Sequence, residues 1–341
     1  MANYTIVPEF LLMGFSSDQK LQIWIAVLFL LIYLAALMGN ILIIVIATFH
    51  PCLHAPMYLF LKNLSFVDIC YISVTVPKAI FNNLLHSNFI SFLGCVLQVF
   101  FLVSFAFTEL APLIAMSYDR YVAICYPLHY EIIVNRGACL HMVAASWLSG
   151  GFFGLMHTAA SFSEPFSGSN VIPQFFCDIP QLLRISHPKA IIREMGVTIF
   201  NLNLSFLCFV PIVISYIHIF STVLRIPSAE GRSKAFSTCL PHLIVVTFFI
   251  STGSFAYLKP KSDSPSFLDL LLSLFYMVLP PAMNPIIYSL RNKDMKDAPG
   301  KFLSSRILTG SKTLFHSLHM FPIHSIPDFH FSTLPSFKMN Q

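Results

Sequence analysis

Long stretches without a charged side chain constrain this chain of 341 residues more than any other feature. No Asp, Glu, Lys or Arg occurs over residues 21–61, and a first membrane span fits residues 24–47. A helix needs roughly 20 apolar residues to cross the hydrocarbon core of a bilayer. Five further windows free of charge can each hold a span: residues 79–108, 137–163, 195–224, 235–258 and 270–290.

A seventh span fits residues 57–80, although it contains Lys62 and Asp68, and the third span continues past Glu109 to about Cys125. Buried helices of a large soluble protein are the alternative interpretation. A composition that is 56% hydrophobic and only 10% charged, however, leaves more apolar surface than a soluble fold can hide. The sequence therefore predicts an all-α membrane protein, a bundle of seven transmembrane helices over residues 24–290.

The distribution of Lys and Arg predicts the orientation of this bundle. With the N-terminal segment, residues 1–23, placed outside, 13 of the 20 Lys and Arg residues fall on the inner side, many of them from Arg291 onward. The positive-inside rule therefore favours an external N-terminus and a cytosolic tail. The first span is expected to act as a signal anchor. A short amphipathic cytosolic helix is expected over residues 291–300, and residues 301–341 have no clear pattern.

Topology also decides which cysteines can be oxidised and which asparagine can be glycosylated. Of the eight cysteines, only Cys95 and Cys177 are expected to face the oxidising side, which predicts one disulfide between them. The triplet that begins at Asn3 is a glycosylation acceptor in the external segment, whereas two other matching triplets fall inside predicted spans. Asn3 is therefore the predicted glycosylation site.

Several long motifs occur near the ends of the predicted spans. Span three ends in MSYDRYVAIC from Met116, and PLHY follows from Pro127. The other motifs are GN from Gly39, PMYLFL from Pro56, FFCDIP from Phe175, KAFSTC from Lys234 and NPIIYSLRN from Asn284. With these motifs in this order and spacing, residues 8–300 resemble the olfactory receptors among the rhodopsin-like G-protein-coupled receptors.

The resemblance implies an odorant receptor that binds small, mostly neutral volatile ligands within the bundle and activates a stimulatory G protein to raise cyclic AMP. Arg120 is expected to be restrained by Asp119 at rest and released toward the G protein when the bundle opens, as a two-state element that ligand biases. A solvated interfacial ion pair is the alternative. The switch residues implied by the resemblance are Asp119, Arg120, Tyr121, Asn284, Pro285 and Tyr288.

Two acids, Asp68 and Glu109, lie at mid-membrane depth, which is costly unless they face a polar interior. Neutral acids that are merely hydrogen-bonded are one interpretation. The resemblance instead implies an allosteric sodium ion held by Asp68, Glu109 and Asn284, since oxygen ligands suit a hard cation. No other cofactor is expected, because the histidines of the spans lack the spacing of a metal site.

The ligand cavity is expected to be apolar with few polar groups. Counting back from Arg120 by the spacing of the family, Leu102 stands where amine receptors place a counter-ion, so a cationic amine would lack a partner there. The residues of span three could equally face a neighbouring helix. The predicted lining residues are Val103, Ala106, Phe107, Asn201, Gly253, Tyr257 and Met277.

Other function classes fit this sequence less well. A polytopic transporter or channel is the main alternative, but no internal repeat with paired broken helices is visible. No catalytic residues are expected, because the sequence contains neither Gly-x-Ser-x-Gly nor His-Glu-x-x-His, and a retinal photoreceptor would need a lysine within residues 270–290. The expected partners at the plasma membrane are an odorant, a G protein and membrane lipid, with no nucleic acid.

Overall fold

The computed structural model describes residues 8–14, 18–49, 56–85, 87–166, 169–258 and 267–291. Within these ranges, the side chains of residues 252–258, 267–273, 276 and 288–291 are not described. Asn3, residues 292–300 of the predicted cytosolic helix and the tail over residues 301–341 lie outside the described residues.

Long helices account for most of the described chain, in agreement with the predicted all-α bundle. Six of them are long and apolar enough to cross a membrane, and the last contains a shorter apolar stretch, Met277–Ile287. Their bounds are α1 Gln19–Phe49, α2 Pro56–Leu85, α3 Phe92–Cys125, α5 Arg136–Ser161, α7 Pro188–Leu224, α8 Ala229–Leu258 and α9 Phe267–Arg291. Helices α7, α8 and α9 begin before their charge-free windows, because each starts in a segment that contains charged residues.

Polar residues begin several of these helices. Ser91 accepts a hydrogen bond from the Gly94 amide at the start of α3, and Asn135 accepts one from the Ala138 amide at the start of α5. Each cap satisfies a backbone donor that the first helical turn leaves unpaired. The shorter elements at the two ends of the bundle are a 3₁₀ turn Pro127–His129, α4 Tyr130–Ile133 and α6 Ile179–Ile185.

The outward faces of the helices carry large apolar side chains. Trp24 in α1 is 72% exposed, Leu148 in α5 is 77% exposed, and Phe206 in α7 is 67% exposed. In water, apolar surface on this scale would drive association. In a bilayer it contacts lipid tails, and the polar residues are left to the interior.

Small residues let α3 and α5 approach closely. Gly150 and Gly154, one turn apart on α5, face Thr108 and Ser104 on α3. A Cβ at Gly150 would collide with the Thr108 hydroxyl and the Ser104 carbonyl. Membrane helices have little hydrophobic force between them, so close van der Waals packing of small residues stabilises their association. α3 consequently lies deep in the bundle, where it can contact ligand on one side and the cytosolic helices on the other.

A three-stranded sheet covers one end of the bundle. β1 Glu9–Leu12 pairs antiparallel with β2 Phe89–Ser91, with Phe10 opposite Ile90, and it pairs parallel with β3 Val171–Ile172. Phe10 is fully buried, and its ring centroid lies 5.0 Å from that of Phe166. No pattern in the sequence predicted this sheet. It places the N-terminal strand at the end where β2 leads directly into α3, the predicted outer side.

We predict that Gly150→Ala destabilises the protein by about 1–3 kcal/mol, because the added methyl group overlaps backbone and cannot be accommodated by a rotamer change. Gly151→Ala is the matched control, since a Cβ at Gly151 meets nothing within 4 Å and alanine favours helix more than glycine does. Thermal midpoints of the purified proteins measure the difference. Equal midpoints for the two variants would show that α3 and α5 are not in close contact.

Candidate functional site

A disulfide fastens the loop before α6 to the outer end of α3. Cys95 and Cys177 are joined with a Cα–Cα distance of 5.5 Å, which confirms the predicted bond. One turn further along α3, the Gln98 side chain accepts a hydrogen bond from the Cys177 amide at 2.8 Å and donates one to the Val74 carbonyl at 3.0 Å. Gln98 therefore ties the loop to both α2 and α3. Sequence reasoning missed Gln98, because its only signal was one amide side chain in an otherwise apolar run.

Two apolar clusters lie beneath this loop, on different sides of α3. Leu102 packs in one cluster with Met277 of α9 and with Phe176 of the loop. Val103 packs in the other cluster with Phe107 as a partly buried neighbour, next to the disulfide. The predicted lining residues Val103 and Met277 therefore belong to separate clusters.

The remaining predicted lining residues fall into three situations. Ala106 is half-buried on α3. Asn201 on α7 is buried and engaged in a polar contact described below. The side chains of Gly253 and Tyr257 lie outside the described part of the structure. The predicted lining residues whose side chains are described therefore lie on two sides of α3, and the ligand cavity among them stays a prediction.

His157, Glu194 and Asn201 form a buried polar cluster between α5 and α7, called here the α5–α7 polar cluster. The His157 Nδ1 atom lies 2.5 Å from Glu194 Oε1, and its Nε2 atom lies 2.6 Å from Asn201 Nδ2. The Phe107 ring stacks on the His157 ring with centroids 6.0 Å apart. Sequence reasoning missed Glu194 because the charge-free window used for span five begins one residue later, whereas α7 begins at Pro188.

The two mid-membrane acids meet Asn284 in the centre of the bundle. The Asn284 amide donates to both carboxyl oxygens of Asp68, at 3.0 and 3.1 Å. Glu109 lies within hydrogen-bond range of Asp68, and its Oε1 atom is buried without a partner. Two carboxyl groups with an unpartnered oxygen between three helices fit the ligand chemistry of a hard cation. The residues predicted for sodium are thus brought together.

Close packing of α1 against α9 holds Asn284 and Pro285 in place. The Asn40 side chain donates to the Pro281 carbonyl at 2.9 Å. At Gly39, a Cβ would stand 2.9 Å from the Pro285 ring, so only glycine allows this contact. The motif GN in span one and the motif that begins at Asn284 therefore act on each other directly. The side chain of Tyr288 lies outside the described residues.

At the cytosolic mouth, Arg120 and Asp119 each have a partner other than the one expected. The Arg120 guanidinium donates to the Thr238 carbonyl of α8, and Asp119 accepts a hydrogen bond from the Tyr130 hydroxyl at 2.6 Å. The described contacts include no hydrogen bond between Asp119 and Arg120, and the restraint of Arg120 by Asp119 stays a prediction. Burial, and then the hydrogen bond and charge of Asp119, raise the pKa of Tyr130 above its usual value, so the phenol keeps its proton. Arg120 instead connects α3 to α8.

A second contact ties α3 to α8 deeper in the bundle. His242 of α8 lies 2.9 Å from the Leu113 carbonyl of α3 through Nε2, and 2.8 Å from the Tyr216 hydroxyl of α7 through Nδ1. Nearer the cytosol, a cleft of about 210 Å³ opens between the end of α3 and the start of α8, lined by Ile124, Gly231, Lys234, Ala235 and Thr238. Tyr121 stands at the same end, with its ring edge against Tyr126.

Comparison with known proteins assigns this arrangement to a family. A sequence model described as "Olfactory receptor" matches residues 29–306. Olfactory receptor 14A16 of Homo sapiens is 58% identical over 307 residues, which cover 90% of this chain and 99% of the relative. Olfactory receptor 14L1 of Homo sapiens is 59% identical over 296 residues, 87% of this chain and 91% of the relative. The chain belongs to the olfactory receptor family.

The olfactory receptor assignment agrees with the fold. The crystal structure of squid rhodopsin aligns with a TM-score of 0.61 over 88% of this chain and 92% of that chain, at 15% identity, a likeness that shows the fold alone. As an olfactory receptor, the protein is a multi-pass membrane receptor for odorants with a small-molecule ligand and a G-protein partner, and it is not an enzyme. The family assignment also favours a receptor over the alternative function of a transporter or channel.

Proposed function

We propose that the receptor binds small, mostly neutral volatile molecules within the outer half of the bundle and activates a stimulatory G protein, which raises cyclic AMP. The observation that carries the ligand class is the pair of apolar clusters beneath the disulfide-anchored loop, where Leu102 is 8% exposed and supplies no charge. A cation there would be desolvated without a partner. The choice of a stimulatory G protein rests on the family resemblance of the motifs.

The contact between Arg120 and Thr238 suggests how ligand binding reaches the G protein. In the described state this contact links α3 to α8 across the cytosolic mouth. A ligand that favours separation of these helices would break the contact and free the guanidinium for the G protein. Since Tyr130 donates to Asp119, that carboxyl group already has one partner when Arg120 is released. A ligand can shift this equilibrium only by binding the open state more tightly than the closed state.

Sodium is proposed as an allosteric ligand of Asp68, Glu109 and Asn284. When bound, the ion supplies positive charge that offsets two acids in a region of low dielectric constant. The unpartnered Glu109 Oε1 atom is the observation that favours it. Neutral acids that hydrogen-bond each other are the alternative arrangement.

The ligand proposal is tested by a cyclic AMP screen of cells that express the receptor. The library contains uncharged volatile molecules and small protonated amines of matched size. We expect the responses to come from uncharged molecules, because the apolar clusters offer no counter-ion. Potent responses to protonated amines alone would contradict the proposed ligand class.

We predict that Arg120→Ala abolishes the cyclic AMP response at matched surface expression, since the variant lacks the group proposed to engage the G protein. Ligand binding should stay within about tenfold of wild type, or about 1.4 kcal/mol, because the cavity lies toward the outer half. Arg193→Ala, which removes an exposed arginine near the start of α7, is the control. Wild-type signalling by Arg120→Ala would contradict the switch and would mean that Arg120 is only an interfacial anchor.

We further predict that Asp68→Asn removes any dependence of the thermal midpoint on sodium. The wild-type midpoint should rise when sodium replaces the larger cation choline at constant ionic strength, because binding to the folded state stabilises it. Glu164→Asn, at an acid near the outer surface that pairs with Arg193, should keep the full sodium effect. Identical midpoints of the wild-type protein in the two salts would contradict the sodium site.

A further inference from the structure

The α5–α7 polar cluster contains more hydrogen-bonding capacity than the protein uses. Glu194 and Asn201 are seven residues apart, which is about two turns of α7, so both lie on the face that meets His157. Glu194 is fully buried, and His157 and Asn201 are each 4% exposed. Neither lipid nor bulk solvent therefore supplies partners to these three side chains.

Two atoms of this cluster are buried acceptors without a partner, Glu194 Oε2 and Asn201 Oδ1. The donors, in contrast, are engaged. In the tautomer whose Nε2 accepts from Asn201 Nδ2, the His157 ring proton is on Nδ1 and is directed at Glu194 Oε1. Leaving a buried acceptor unpaired destabilises the folded protein, because the group has lost its water and gained no partner. The cluster therefore lacks a hydrogen-bond donor for these two acceptors.

The position of the cluster connects it to the candidate cavity. Phe107, a predicted lining residue, covers the His157 ring. Phe107 also packs against the apolar cluster that contains Val103 and the disulfide. A molecule among those apolar side chains would have the α5–α7 polar cluster at its edge, beside α3.

We propose that the α5–α7 polar cluster anchors the hydroxyl group of neutral odorants, so that the receptor prefers alcohols and phenols to ethers and aldehydes of the same size. The hydroxyl group donates to Glu194 Oε2 or Asn201 Oδ1, while the carbon skeleton packs on Phe107 and Val103. An ether or aldehyde offers only acceptors and would face acceptors. The inference rests on the proposed function, of which it specifies the ligand class.

The test measures the thermal midpoint of the purified full-length receptor with matched probes. The probes are octanol, octanal and heptyl methyl ether, with para-ethylphenol and its isomer para-methylanisole as an aromatic pair. We expect the two hydroxyl compounds to raise the midpoint at concentrations roughly three- to tenfold lower than their matched ethers, the effect of one hydrogen bond. Equal action of alcohol and ether, or no effect of either alcohol, would overturn the inference.

A variant then assigns the preference to the cluster. Glu194→Gln keeps an oxygen for the His157 proton and replaces the free acceptor by an amide donor. The concentration at which ethers and aldehydes raise the midpoint should therefore fall relative to that of the alcohols. Glu164→Gln makes the same substitution outside the cluster, in the pair with Arg193, and should keep the preference of the wild type. An unchanged preference in Glu194→Gln would mean that the cluster only connects α5 to α7 and that water pairs with its free acceptors.

The outcomes separate this inference from the proposed function. If Glu194→Gln does not yield folded protein, the preference of the wild type for hydroxyl compounds over their matched ethers still decides the ligand class. If uncharged odorants without a hydroxyl group raise cyclic AMP while the hydroxyl probes have no effect, the proposed function stands and the inference fails. If protonated octylamine alone raises the midpoint, both are contradicted.

Discussion

Hydrocarbon cannot accept or donate a hydrogen bond, and the described structure follows from that constraint. Each backbone amide in a span must be paired within its own helix, so the long segments are helical. Polar side chains that remain must pair inside the bundle, as Trp147 does with Asn63 at 2.8 Å and Asn40 does with the Pro281 carbonyl. The lipid-facing surface therefore carries little information about function. The functional residues are the polar side chains that the bilayer forces inward.

Because α3 contacts α2, α5, α7 and α8, these inward polar groups line up along it. From the outer to the inner end, Gln98 contacts the loop, Glu109 meets Asp68, and Arg120 meets α8. The small residues that bring α5 against α3 leave little free volume there, so a displacement of α3 must be shared by its neighbours. A ligand near Phe107 and a G protein near Arg120 then act on the same helix. Coupling needs no other route than two arrangements of α3 and α8, provided that the ligand and the G protein both bind the open arrangement more tightly.

Much of the fold could be predicted from the sequence because the bilayer imposes a length on each charge-free window. The disulfide followed from topology, and the proximity of Asp68 and Asn284 followed from the family resemblance. Other features depend on contacts between distant segments and leave no local pattern: the strands of the sheet have two to four residues each, and the partner of Asp119 stands on another helix. Glu194 shows a different difficulty. Windows defined by the absence of charge exclude every acid. They therefore exclude Glu194, although His157 on α5 pairs with it inside the bundle.

The sheet at the outer end has a consequence for the order in which the protein is made. β1 is the central strand, yet β2 follows it by about 80 residues and β3 by about 160. Since synthesis proceeds from the N-terminus, β1 has no complete set of partners until four spans have been inserted and the segment after α5 has been translocated. Phe10 can meet Ile90 once span two has been inserted, but its partner Phe166 is made only after α5. The first strand to emerge from the ribosome is thus among the last to find its place, and a ribosome stalled before β3 would carry a receptor whose N-terminal strand is still accessible.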